Sequence, residues 1–229
     1  MKFVEENIQL VREKITEAAL RSGRDPSEVR LMAVTKTVDD ERIQKAITCG
    51  IDIIGENYVQ EARRKIEKTG HSVEWHMIGH LQSNKAKYAV KLFDMIHSVD
   101  RLSLARELDR RSGAAGVVTR ILIEVNTSGE ETKSGAVPAG VIPLIGEIST
   151  MEHLSIRGLM TMPAWYDDPE KARPSFIVLR ELRDRIAECD MPNVRMDELS
   201  MGMTDDFPVA VEEGATIVRI GRAIFGERT

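Results

Sequence analysis

Residues 30–36 read RLMAVTK, an apolar run that closes on a lysine just before Asp39 and Asp40 open a helical pattern. Leu31, Met32, Ala33 and Val34 suit a buried strand, and a strand followed at once by a helix is the repeating unit of a parallel α/β sheet. The ammonium of Lys36 sits at the edge of that core, where it must be solvated, paired or used for chemistry.

Working outward, Val4, Ile8, Val11, Ile15, Ala18 and Ala19 recur at helical spacing and predict a helix over 3–22 that ends near Gly23. Short apolar runs predict strands at 30–35, 51–54, 74–78, 94–98, 119–126, 155–161, 196–200 and 216–220. Helical patterns lie between them near 39–49, 57–68, 83–91, 101–112, 137–149, 170–188 and 205–213. Such alternation requires parallel pairing, because each helix returns the chain to the same edge of the sheet. Eight strands with no long linker, low-complexity tract or internal repeat predict a single α/β domain over 1–229, a (β/α)8 TIM barrel. The extra N-terminal helix then packs outside, where an eighth helix otherwise lies. An open doubly wound sheet is the alternative.

The 229 residues carry a formal charge of −5, which argues against a general nucleic-acid or membrane-surface binder. The run Arg63, Arg64 and Lys65 falls in a helical pattern and reads as a solvated face. Cys49 and Cys189 cannot staple a chain of this size and lie in no CxxC spacing, which fits a reducing cytoplasm. The N-terminus is charged and amphipathic, unlike a signal peptide, and no apolar run approaches the roughly 20 residues that span a bilayer. His76 and His80 are four apart but on a strand and a loop, so they do not share a face and no zinc site is expected.

In a barrel of this kind the chemistry lies at the carboxyl ends of the strands, and phosphates bind the loops after strands 7 and 8. Those ends offer Lys36, Asn57, His80, Asn84 and Asn126, then LSMGMTDD (199–206) and RIGRAIFG (219–226). Ser200 and Thr204 flank Gly202 ahead of a helix start, and Gly221 precedes another, which together resemble a phosphate cradle. Helix capping and a plain turn are the structural alternatives for the same residues. A partly buried amine loses protons more readily, so Lys36 in the same mouth could condense with an aldehyde; a snorkelling surface lysine is the alternative. Lysine plus phosphate site fits pyridoxal 5′-phosphate (PLP), and it also fits a phosphosugar aldolase.

Arg219 lies two residues before Gly221, on the same side of the pleat. A guanidinium there can donate to a pyridine nitrogen and keep it unprotonated, or form an ion pair inside the barrel. An unprotonated pyridine is a weak electron sink, which suits racemisation or simple holding of the cofactor better than transamination.

The set AVTKT, GENYVQE, WHMIGHLQSNK, EVNTSGEETKSG, GLMTM, LSMGMTDDF and VRIGRAIFG resembles, in order and along nearly the whole chain, the YggS/PROSC family of PLP-binding proteins, the PLP homeostasis proteins. The resemblance implies a barrel similar to the N-terminal domain of alanine racemases and the fold-type III decarboxylases. It implies that Lys36 carries PLP as a Schiff base, that Arg219 faces the ring nitrogen and that Asn57 lies beside the ring. Ser200 and Thr204, with the backbone amides of Gly221 and Arg222, would hold the phosphate. It further implies buffering and delivery of the cofactor, with apo PLP-dependent enzymes as acceptors, an effect on amino-acid balance, and no established turnover.

An amino-acid racemase is the alternative. It needs a second acid or base opposite Lys36. In the alanine racemases a tyrosine from a second domain fills that place, and here the sequence stops at Thr229. Tyr58, Tyr166 and His80 are the remaining candidates. The expectation is therefore a monomeric carrier with an open site and no metal.

Overall fold

The computed structural model describes residues 2–130 and 132–227, so Glu131 of the EVNTSGEETKSG motif and the two ends of the expected 1–229 domain lie outside it. In chain order the elements are α1 (Lys2–Arg21), β1 (Arg30–Val34), α2 (Asp40–Thr48), β2 (Ile53–Glu56), α3 (Val59–Thr69) and β3 (Glu74–Met77). Then follow α4 (Ala86–Leu92), β4 (Met95–Val99), α5 (Leu102–Ala115), β5 (Thr119–Glu124), α6 (Pro138–Ile148) and β6 (Leu154–Met160). The last are α7 (Arg173–Ala187), β7 (Val194–Ser200), α8 (Phe207–Glu212), β8 (Ile217–Ile220) and α9 (Arg222–Phe225).

The eight strands pair in sequence order, all parallel, and β8 closes on β1 with Arg30 opposite Ile217 and Ala33 opposite Ile220. This is the closed barrel expected, not the open sheet. Closure leaves no free edge, and alternate side chains point either outward to the helices or inward. Outward residues such as Ala33, Trp75, Ile96 and Leu199 merge with Ile43, Leu108, Ile145 and Phe176 of the helices into one apolar layer. At about 25 cal/mol per Å² of apolar surface removed from water, this layer is the main source of stability. The helix α1 packs against α2, α8 and α9 and so fills the outer ring where α8 and α9 are short. No helix among the described residues is long and apolar enough to cross a membrane.

Several boundaries shift by one to three residues from the sequence reading, and two of them bear on the site. The strand β1 stops at Val34, so Lys36 lies in a turn. Thr37 takes a positive φ of 63°, and Val38 N–H donates to Thr35 O at 2.9 Å, which ends the extended run. Asp39 then caps α2 by accepting from Arg42 N–H at 2.9 Å. The strand β2 starts two residues later than expected and runs to Glu56, which is fully buried and not part of a loop.

Truncation of α1 at its buried face should be costly. Ile8→Ala removes a side chain that is 2% exposed and should lower unfolding free energy by about 3 kcal/mol, read as a reduced urea midpoint by circular dichroism.

Candidate functional site

At the carboxyl ends of β1, β2 and β8 lies a cavity of about 460 Å³. Its lining includes Lys36, Asn57, Thr204, Arg219, Gly221 and Arg222, brought together from four separate segments of the chain. Val34, Ile78, Met162, Trp165 and Met203 supply an apolar wall, with Trp165 at the mouth and 71% exposed. A larger open groove of about 670 Å³ lies between α1 and α2, on the outer helices, and gathers none of the strand-end residues.

The cavity is electropositive. Lys36, Arg42, Arg219 and Arg222 line it against Asp205 and Glu227. Arg222 is held by Asp205 through bonds of 2.5 and 2.6 Å from one guanidinium nitrogen; these bonds, and more weakly Glu227 at 3.6 Å, push its pKa up. Arg42 bridges Asp39 at 2.5 Å and Phe225 O at 3.1 Å, which ties α2 to the end of α9. Thr204 Oγ1 accepts from Ala223 N–H at 3.3 Å and so sits at the start of α9.

Gly202 makes this corner possible. Its φ is +91°, and a Cβ there would lie 2.6 Å from Ala210 Cβ and 3.0 Å from Phe207 Cα. Only glycine lets the β7–α8 loop fold this tightly, with its carbonyl accepting from Arg219 N–H at 3.0 Å. On the other wall, Gly79 lets the backbone of Asn57 approach so closely that a Cβ would sit 2.5 Å from Asn57 O. Asn57 Oδ1 is buried without a hydrogen-bond partner. An orphaned acceptor beside a cationic pocket suits a ligand that carries both a donor and an anion.

Ser200 does not join the others. Its hydroxyl is fully buried inside the barrel, where it accepts from Arg219 Nη1 at 2.8 Å and meets His97 Nδ1 at 3.0 Å. The interior is otherwise plugged by Met32, Ile53, Ile78 and Ile217 on one side and Met95, Leu122 and Met160 on the other. Through it runs a chain of hydrogen bonds. His97 Nε2 meets His76 Nδ1 at 2.9 Å, and His76 Nε2 meets Glu74 Oε2 at 2.9 Å.

The direction of this chain follows from its two ends. Glu74 is held at a pKa of about 2, chiefly by the bond from His76, so it can only accept. His76 Nε2 therefore donates. Both imidazoles are kept neutral by burial, so His76 Nδ1 accepts from His97 Nε2–H, and His97 Nδ1 accepts from the Ser200 hydroxyl. The Ser200 oxygen is left to accept the hydrogen bond from Arg219 Nη1. Arg219 Nη2 donates to Thr161 O at 2.8 Å, so two fixed acceptors orient the guanidinium. Burial lowers its pKa to about 10, against the opposing charges of Asp206 and Glu124, and it stays protonated at neutral pH.

Both counter-charges respond to the same burial. Glu124 is raised to about 7 by desolvation and Asp100, with Arg219 and Arg101 pulling the other way. Asp206 is also raised by burial, although it accepts from Met203 N–H at 2.6 Å.

Sequence reasoning missed His97, Thr161, Asp206, Glu124, Arg42 and Trp165. A signal existed for some of them. His97, Glu124 and Thr161 lie at or near strand ends in MIHSV, TRILIE and LMT, where a polar residue in an apolar run marks an inward position. It also misread one residue. Arg63 and Arg64 are solvated, but Lys65 is 0% exposed, because Glu56 and Glu61 neutralise it. Val59, Ala62 and Ile66 place Lys65 beside the apolar stripe of α3. Of the other residues considered, His80 is exposed and neither Tyr58 nor Tyr166 lines the cavity.

Barrel, inward guanidinium and rim lysine define a class. Residues 4–229 match the family described as "Alanine racemase, N-terminal domain". The chain belongs to that family and, within it, to the pyridoxal phosphate homeostasis proteins. It is 44% identical to the pyridoxal phosphate homeostasis protein of Aquifex aeolicus (strain VF5), covering 97% of each chain. It is 40% identical to the protein of that name from Escherichia coli (strain K12), covering 100% of this chain and 98% of the other. PipY of Synechococcus elongatus PCC7942, solved with PLP bound, superposes with a TM-score of 0.83 at 36% identity, covering 97% of this chain and 100% of PipY. An alanine racemase of Clostridium difficile 630 shares the fold alone: TM-score 0.78, 13% identity, all of this chain and 57% of the racemase.

The neutral imidazoles make the fold acid-sensitive. Their folded pKa values are depressed below the unfolded value of about 6.5, so the unfolded chain takes up protons first as pH falls. Stability is then full above pH ~6.5 and drops below it by up to about 1.4 kcal/mol per pH unit for each imidazole. Urea titrations at pH 7.5 and 5.5 should show that loss, and His97→Gln should reduce the slope.

Proposed function

We propose that this protein binds PLP in the cavity at the ends of β1, β2 and β8, holds it as a Schiff base on Lys36, and serves cofactor homeostasis and delivery. The observation that carries the reading is the convergence of Lys36, Asn57, Thr204, Arg219 and Arg222 on one electropositive cavity of about 460 Å³. The names of the relatives and the PLP-bound PipY support it.

The residues present fit that cofactor. When bound, PLP supplies an aldehyde that an amine can condense with and a ring that withdraws electrons. Lys36, on the turn after β1, would supply that amine from its Nζ. Asn57 offers its unpaired Oδ1 to the ring's substituents. Arg219, fixed by Ser200 and Thr161, presents a charged donor that would face the ring nitrogen and would keep it unprotonated. Thr204, Arg222 and the amides of Gly221 and Arg222 take the phosphate, where Asp205 now occupies the Arg222 guanidinium. Ser200 acts one step behind, as the support of Arg219.

The chain works in this reading as a cytoplasmic monomer that gives the cofactor to apo PLP-dependent enzymes and does not turn over a substrate. With Trp165 at an open mouth and no tyrosine on the cavity wall, the bound cofactor is reachable by water and by outside amines. Water at a site weakens the fixed electrostatics that carbanion chemistry requires.

Purified protein mixed with PLP should show a Schiff-base absorbance band near the visible edge. Borohydride should fix the label to the peptide containing Lys36, and Lys36→Ala should lose both signals. Label on another lysine would sink the reading. PLP should also quench tryptophan fluorescence through Trp165, one of two tryptophans, the other being the buried Trp75. Trp165→Phe should keep the absorbance band and lose most of that quenching. In deuterium oxide the loaded protein should leave the Cα–H of alanine unexchanged; rapid exchange would favour a racemase.

A further inference from the structure

The turn that carries Lys36 is pinned on both sides by one buried ammonium. Lys65 Nζ, 0% exposed, donates to Thr35 O at 2.5 Å, to Glu56 Oε1 at 2.6 Å and to Glu61 Oε1 at 2.7 Å. An ammonium has three N–H groups, and all three are used. The same two carboxylates reach the residues next to Lys36. Thr35 Oγ1 donates to Glu56 Oε1 at 2.6 Å, and Thr37 N–H donates to Glu61 Oε1 at 2.8 Å.

This arrangement is an expensive way to hold a helix against a barrel. The desolvation cost of burying an amine and a carboxylate can exceed the attraction between them, so packing alone would favour leucine or methionine at position 65. Glu56 Oε2 is even left buried without a partner. What the polar cluster does, and an apolar one could not, is grip the backbone at Thr35 and Thr37. Thr37 is β-branched at φ 63°, a conformation such residues avoid unless neighbouring bonds enforce it. The Glu61 carboxylate on its amide is such a bond.

Resting on the reading above, we infer that Lys65, with Glu56 and Glu61, is a positioning device for Lys36: it fixes the backbone on both flanks so that Nζ meets the aldehyde of PLP at the cavity. Lys65 touches neither cavity nor cofactor. It acts through Thr35, 30 residues away in the sequence, and, by way of Glu61, through Thr37. Loss of the grip leaves the phosphate and ring contacts intact and loosens only the amine, so capture of the aldehyde suffers while non-covalent docking does not.

Two ligands separate these effects: PLP, and pyridoxine 5′-phosphate, which has an alcohol in place of the aldehyde. Glu61→Ala removes the pin on Thr37 from a partly exposed helix position, and Lys65→Met removes the ammonium. Each should weaken the PLP Schiff base about tenfold, the order expected for one lost charge-assisted bond. Each should also shift the pH midpoint of its absorbance band and leave pyridoxine 5′-phosphate affinity within about twofold. Lys65→Arg should restore part of the loss. If Lys65→Met does not fold, Glu61→Ala alone decides. Parallel weakening of both ligands, or variants equal to wild type, would overturn the inference while the function stands. Wild-type protein that carries no borohydride label on Lys36 would overturn the function itself, and the inference with it.

Discussion

A positive charge inside the barrel governs this structure. Arg219 is 3% exposed, and a guanidinium cannot shed its proton at any ordinary pH, so the interior must be polar where it passes. Ser200 and Thr161 accept its hydrogen bonds directly, His97, His76 and Glu74 extend the chain from Ser200, and Asp206 and Glu124 offset the charge. The apolar plugs of methionine and isoleucine fill only what this column leaves. A guanidinium with both acceptors fixed cannot wander when a ring arrives, which is the preorganisation an electrostatic contact needs.

A second polar cluster stands outside the barrel wall and follows the same logic. Glu56 at the end of β2 and Lys65 on α3 are both fully buried, each tolerable only because of the other. One cluster orients a donor from β8, and the other braces the turn after β1. Between them lies the cavity, and β1 and β8 are neighbours only because the barrel closes. The two ends of the strand order therefore meet at the one place where chemistry is gathered.

Local signals carried much of this. Hydrophobic periodicity marked α1 and all eight strands to within a few residues, since both depend on contacts inside a short window. Lys36, Asn57, Thr204, Arg219, Gly221 and Arg222 were legible because each is polar or glycine immediately beside an apolar strand, and all of them line one cavity. Ser200 satisfied the same rule, and its hydroxyl turned inward. That choice depends on His97, 103 residues away, and on Arg219, 19 residues away, neither of which a local pattern can weigh.

Read alone, the chain determined that strands and helices alternate, that the pairing must be parallel, and that an amine and a hydroxyl-rich turn lie at strand ends. These are consequences of side-chain period and chain connectivity, which are properties of neighbours in sequence. The tertiary structure decided which charges are paired, because Coulomb attraction and desolvation depend on distance through space and on the surrounding medium. Lys65 shows the difference: three residues of basic side chains look alike in sequence, and only the arrival of the Glu56 carboxylate from β2, beside Glu61 one turn back on the same helix, makes the third one a core residue.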